Sequence, residues 1–191
     1  MNKDPRRVCP VEKAGALDNG LRRFLQDPVK ILRPYIKEGM TVLDVGCGPG
    51  FFTIPMARLV GGSGRVIAVD LQEEMLNLLR GKIAGTDIEK RIVLHKCDKE
   101  RIGLAEKVDF VLLFYIVHEL PDQNSFFSEI GRMIEPSAQV LLVEPPFHVS
   151  KSDFEISLGK AKAAGLIESK GPQILLSKTA ILQKRHPSSA A

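Results

Sequence analysis

The segment VLDVGCGPG (42–50) constrains the fold more than any other part of the chain. A β-branched, apolar run passes directly into Gly46, Gly48 and Gly50, and then into Phe51 and Phe52 at the head of a helical pattern. Alternate glycines allow a tight turn and a backbone that another group can approach closely. A strand that turns this way into a helix is a βα unit, and repeated βα units build a parallel sheet.

The alternation repeats down the chain. Strands are expected at 41–45, 65–70, 91–97, 108–115 and 139–144, with helices at 51–60, 73–83 and 122–134 between them. Met75, Leu76, Leu79 and Ile83 recur at helical spacing, as do Phe126, Phe127, Ile130 and Ile134. VDFVLLFY (108–115) is almost wholly apolar, as in a central strand covered on both faces. Ser152 and Glu155 are spaced as a capping box for a helix ending at Gly165. Segments 167–170 and 174–184 flank a Gly-Pro turn with no helix between them, so they are expected to pair as an antiparallel hairpin. The fold expected is α/β: a doubly wound, mostly parallel seven-stranded sheet with an antiparallel terminal hairpin. The reversed strand is expected at its edge.

Residues 1–39 precede this pattern. Leu17, Leu21, Phe24 and Leu25 have helical spacing, with Arg22 and Arg23 on the other side. Asp27 and Pro28 read as an N-cap and first turn for a helix burying Val29, Leu32 and Ile36 and ended by Gly39. Three segments are expected: a helical cap at 1–39, the α/β domain at 40–184 and a flexible tail at 185–191.

Charge and cysteine content narrow the functional classes. Residues 1–39 hold nine Lys and Arg against five Asp and Glu, and the remainder holds 18 of each, so the net charge of +4 lies in the cap. With no Trp and two Tyr, the chain lacks the broad, aromatic-rich footprint of a nucleic-acid binder. No apolar run reaches the length of a membrane span. Three scattered cysteines, Cys9, Cys47 and Cys97, make neither a disulfide framework nor a metal knuckle, so a reducing, cytoplasmic setting and no metal are expected. The oligomeric state has no signature in the sequence.

In a doubly wound sheet the ligand lies at the carboxyl ends of the strands. A P-loop would need Gly-Lys-Ser/Thr where Phe51 and Phe52 stand. The dinucleotide fingerprint would need glycine at Phe51. Asp44 decides between the readings. A carboxylate ending the first strand repels a pyrophosphate but suits a cationic ligand end. Asp70, about 20 residues beyond the glycine loop, is placed to hold ribose hydroxyls.

These residues resemble class I S-adenosylmethionine-dependent methyltransferases of the small-molecule, quinone-biosynthesis type. VLDVGCGPG looks like that family's first motif, VIAVDLQEEML (66–76) like its second, KCD (96–98) like its third and DFVLLFYIVHELPD (109–122) like its fourth-strand segment. The resemblance implies a Rossmann-like domain that binds S-adenosylmethionine through Asp44, Gly46, Cys47, Gly48, Gly50, Asp70, Leu71, Met75, Asp98, Lys99, Phe114 and Tyr115. In this mapping Asp70 meets the ribose, Asp98 the adenine amino group, and the backbone near Phe114 and Tyr115 the methionine end.

Methyl transfer is an in-line displacement for which the protein supplies position and a dry site. His118, just past the fourth strand, is the candidate base, with Glu119 beside it but not required to orient it. His148 follows the fifth strand on the same side. His95, mid-strand, reads as structural. EPPF (144–147) stands after the wrong strand for a nucleobase methyltransferase motif. A small apolar pocket is expected from Phe and Leu near 113–117, with Leu21, Phe24, Tyr35, His118 and His148 against the acceptor. Arg22 or Arg23 would draw in an anionic small molecule. The alternatives are a nicotinamide-dependent oxidoreductase, an RNA or protein methyltransferase, and a non-catalytic cofactor-binding protein.

Overall fold

The computed structural model describes residues 26–185. The cap positions Leu17, Leu21, Arg22, Arg23, Phe24 and Leu25, together with Cys9 and residues 186–191, lie outside them.

The chain opens with α1 (Pro28–Leu32), followed by β1 (Thr41–Val45), α2 (Thr53–Leu59), β2 (Arg65–Asp70), α3 (Glu73–Ile83) and β3 (Ile92–Lys96). β4 (Val108–Phe114), α4 (Gln123–Met133), β5 (Ile134–Glu144), α5 (Lys151–Ala163), β6 (Leu166–Lys170) and β7 (Lys178–Lys184) complete it. The seven strands form one sheet in the order β3-β2-β1-β4-β5-β7-β6. β1 through β5 pair in parallel, and β7 runs antiparallel to both β5 and β6. The antiparallel hairpin therefore forms as expected, but the reversed strand is β7, one position in from the edge, and β6 is the edge.

Period-two alternation distributes the core over the two faces. Leu43, Val45, Ile67, Val69, Val111 and Leu113 face α4 and α5, in one cluster with Phe127, Ile130 and Leu158. Val42, Val66, Ala68, Phe110, Leu112 and Phe114 face the other helices, with Leu32, Met56 and Leu79. A sheet covered on both sides explains the near-continuous apolar runs of β1 and β4.

Local chemistry revises several boundaries. Asp27 caps α1 as expected, its Oδ1 accepting from the Val29 and Lys30 amides, but the helix spans only Pro28–Leu32. Val29 is left 41% exposed rather than buried. The capping box of α5 is Ser150 with Asp153, two residues before the expected Ser152 and Glu155 pair. Ser150 Oγ accepts from the Asp153 amide at 3.1 Å, and the shorter aspartate reaches back to the Ser150 amide. β5 begins at Ile134 rather than 139, with an irregularity in its pairing to β4. β7 begins at Lys178 rather than 174, because Leu175 has a φ of +45° and cannot continue a strand. No helix among the described residues is long and apolar enough to cross a membrane.

The strand order reverses between β1 and β4, since β2 and β3 extend one way and β5 the other. That switch opens a crevice at the carboxyl ends of β1 and β4, the position where ligands bind in such sheets.

Candidate functional site

The crevice is bordered by the glycine turn after β1. Gly46, Gly48 and Gly50 all have positive φ, at +71°, +52° and +94°. The Gly46 and Cys47 amides donate to the Val69 carbonyl at 2.8 and 2.9 Å, which fastens the turn to β2. A Cβ on Gly50 would stand 2.5 Å from Leu79 Cδ1, so glycine is needed where the turn meets α3. A Cβ on Gly48 would meet nothing within 4 Å, so the backbone there faces open space.

Two carboxylates brace the turn from beneath. Asp44, 3% exposed at the end of β1, accepts from Thr53 Oγ1 at 2.6 Å. Asp70, 7% exposed at the end of β2, accepts from the Gly48 amide at 2.8 Å and the Gln72 amide at 2.9 Å. Burial pushes the Asp70 carboxyl up, and the amides of Gln72, Gly48 and Leu71 oppose that. Cys47 is buried within the turn, where burial raises its thiol well above the ordinary value. Cys97 is pushed up to about 11, chiefly by burial. Both stay thiols at neutral pH, which suits packing rather than nucleophilic work.

The expected cofactor residues are spread unevenly around this crevice. Leu71 lies partly exposed beside Asp70, whereas Met75 is only 2% exposed. Asp98 and Lys99 are exposed, and Asp98 pairs with Arg101 at 3.6 Å. Phe114 is buried in the stack formed by Phe52 and Tyr115, at 4.4 Å from each. Tyr115 has a φ of +61°, and its hydroxyl bridges Gln26 Nε2 at 2.8 Å and Ser177 Oγ at 2.7 Å.

The loop after β4 forms the opposite border. The Ile116 side chain would lie 3.0 Å from a Cβ on Gly46, so this loop closes directly on the glycine turn. Two residues on, His118 turns toward the α4 and α5 side. Its Nδ1 lies 2.6 Å from Glu144 Oε2, and its backbone amide donates to Glu144 Oε1 at 3.2 Å. Glu144 ends β5 and is almost fully buried. His118 lines a cavity of about 630 Å³ together with Glu119, Gln123, His148, Asp153 and Lys160. Gln123 forms part of the cavity wall, accepting from Ser157 Oγ and Lys160 Nζ at 3.1 Å each and donating to the Val117 carbonyl at 2.9 Å. The Glu119 carboxyl is pushed up to about 7, first by burial; His118 opposes the rise, and Glu144 and Asp70 add to it.

The structure thus brings His118 and His148 to one cavity. It gives His118 a partner that sequence reading passed over: Glu144, 26 residues away, rather than the adjacent Glu119. The signal was present, because Glu144 ends β5 and His118 lies just past the carboxyl end of β4, and the two strands are parallel neighbours. Tyr35 stacks on Phe110 with ring centres 5.7 Å apart, toward the amino end of β4, about 13 Å of strand from the crevice. It does not border the cavity. Of the residues expected to line an apolar pocket near 113–117, Leu113 and Val117 are fully buried in the core, and the wall of the described cavity is mostly polar. Leu21 and Phe24 lie outside the described residues.

A family model described as a methyltransferase domain matches residues 36–175. The chain belongs to this methyltransferase family. The demethylmenaquinone methyltransferase of Lactobacillus johnsonii is 34% identical to this methyltransferase domain over 127 residues, 66% of this chain and 50% of that protein. That of Bacillus cereus is 28% identical over 109 residues, 57% of this chain and 46% of that protein. The chain spans about half the length of these curated relatives. A SAM-dependent methyltransferase from Aquifex aeolicus superposes with a TM-score of 0.81 and 30% identity, covering 92% of this chain and 98% of that one. A putative rRNA methylase from Clostridium thermocellum superposes with a TM-score of 0.67 at 19% identity, over 84% of this chain and 94% of that one, and shares the fold.

S-adenosylmethionine is the cofactor of this class I family, and the crevice fits it. The open backbone at Gly48 leaves room for a flat nucleoside. The carboxylate of Asp70 reaches the same turn. Asp44 puts negative charge beneath it, which suits a sulfonium or α-ammonium and opposes a pyrophosphate.

Proposed function

We propose that this methyltransferase moves a methyl group from S-adenosylmethionine to a small-molecule acceptor seated between β4, β5 and α5. The observation that carries the reading is the single loop that joins both sites: Ile116 closes on Gly46, and His118, two residues later, lines the cavity. In this reading the bound cofactor supplies an activated methyl carbon. Asp70 holds the ribose hydroxyls, Asp98 the adenine amino group, and Asp44 acts beneath the cationic end. The stacked rings of Phe52, Phe114 and Tyr115 keep one side of the crevice dry.

The named relatives act on demethylmenaquinone, and a quinol ring is therefore the first acceptor to test. A cavity of about 630 Å³ takes a ring of that size. Its wall carries Glu119, Glu144 and Asp153 against Lys160, so it supports a neutral polar acceptor better than an anion. A cytoplasmic setting belongs to the same proposal, with Cys47 and Cys97 both free.

Calorimetric titration with S-adenosylhomocysteine and with NADH tests the cofactor, and only the first is expected to bind. Labelled-methyl transfer over quinols, thiols, arsenite, amines and small RNA then tests the acceptor. Label in a small molecule supports the proposal. Label entering RNA alone overturns it.

A further inference from the structure

We propose that the segment ahead of Gln26 docks, through Leu17, Leu21, Phe24 and Leu25, on an apolar platform made by Phe147, Leu175 and Leu176. The inference concerns how the chain closes on itself, and it is independent of the acceptor's identity.

The platform breaks a local rule. Residues 174–177 form a tight turn, closed by the Ser177 amide donating to the Ile174 carbonyl at 2.9 Å. Its two corner residues are Leu175 and Leu176, where turns ordinarily carry Gly, Asn or Asp. Leu175 holds a φ of +45°, a conformation that costs a residue with a Cβ. Ile174 is buried in the core, yet Leu175 and Leu176 are 56% and 72% exposed. Phe147, in the loop after β5, is 86% exposed. Glu144 and Lys178 are the last pair between β5 and β7, and Lys178 Nζ still reaches the Pro146 carbonyl at 3.3 Å. The two loops therefore leave the sheet side by side. Three large apolar side chains on one border make a surface that a partner covers.

The place where the described chain begins selects the occupant. Gln26 Nε2 donates to the Tyr115 hydroxyl at 2.8 Å, and that oxygen lies 2.7 Å from Ser177 Oγ. One hydroxyl thus sets Gln26 beside the residue that follows Leu176. Among the described residues, Tyr115 and Leu175 are the two non-glycine residues with positive φ, and both stand at this junction. Leu25 and Phe24 directly precede Gln26, and Leu21 and Leu17 recur behind them at helical spacing, with Arg22 and Arg23 on the other side. A helix over 17–25 would span about 12 Å. That length crosses two neighbouring strands, which lie about 5 Å apart. A second copy of the chain or a lipid surface must find the platform from solution. This segment is tethered beside it, which gives it a high effective concentration.

The full chain has no Trp, so Phe147→Trp installs a single fluorescent reporter on the platform. Its emission is expected to be blue-shifted and shielded from acrylamide. Adding Leu21→Glu together with Phe24→Glu is expected to shift the emission to the red and remove the shielding. A second measurement needs no reporter: an arginine-specific protease is expected to cut after Arg22 and Arg23 roughly 10-fold or more faster in Leu176→Lys than in the unaltered chain, because cleavage follows the open population. Leu21→Glu combined with Leu176→Lys places opposite charges at the contact and is expected to recover part of the protection; additive losses overturn the proposal. Circular dichroism melts verify that each variant keeps its folded body. A reporter that stays in water, or one indifferent to Leu21 and Phe24, overturns the docking. Shielding that vanishes on dilution together with a dimer in sedimentation velocity assigns the platform to a second copy and also overturns it. Shielding that arises only on adding anionic phospholipid vesicles assigns it to a lipid surface, with the same consequence.

Discussion

Individual side chains at the crevice make sharp demands. Gly50 combines a φ of +94° with a Cβ position 2.5 Å from Leu79 Cδ1. Gly50→Ala therefore adds backbone strain and a displaced core leucine, and is expected to destabilise the fold by about 1–3 kcal/mol. Urea unfolding of the two chains measures this, and an unchanged midpoint would refute it. Glu119 makes a second prediction, with a sign. Its carboxyl is raised from 4.5 to about 7, first by burial. Between those values the folded state keeps a proton that the unfolded chain has lost, so stability falls as pH rises through that window. Glu119→Gln is expected to flatten this slope, read from melting temperatures at successive pH values, and an unaltered slope would count against the burial argument.

Elements show what local chemistry decides and what it leaves open. Ser150 caps α5, and Ser150→Ala is expected to cost about 1 kcal/mol, measured as a lowered unfolding midpoint. Ser152→Ala, the residue first expected to cap, serves as the comparison and should cost less. The two serines are equivalent in a spacing rule; the aspartate three residues beyond Ser150 and the turn of the preceding chain separate them. The bounds of β1, β2 and α3 were legible to the residue because an apolar pattern ends against a glycine or an acidic turn at each. β7 was not, since Ile174, Leu175 and Leu176 look like strand while Leu176 stays 72% exposed. The glycine turn was legible because its chemistry is local in sequence. The His118–Glu144 pair was not, because it exists only once β4 and β5 lie side by side.

At the scale of the whole molecule, the sheet sets the distribution of stability. β1 and β4 sit in the middle of the sheet with strands on both sides and apolar clusters on both faces. β6 is an edge, with four of its five residues exposed. Amide hydrogen exchange is expected to be slowest in β1 and β4 and faster by orders of magnitude in β6. Mass spectrometry of peptic fragments reads this directly, and uniform protection across the sheet would contradict it. The cofactor crevice lies between the two slowest strands, so its two borders are held at fixed separation before any ligand arrives.

The position of β7 bears on the order of assembly. It follows β6 in the chain yet lies between β6 and β5. During synthesis, β6 leaves the ribosome with no neighbour to join, and the flank of β5 stays unpaired until β7 emerges to fill the gap. A nascent chain stalled before residue 178 would carry an open, apolar strand border, the kind of surface that recruits chaperones or a second unfinished chain.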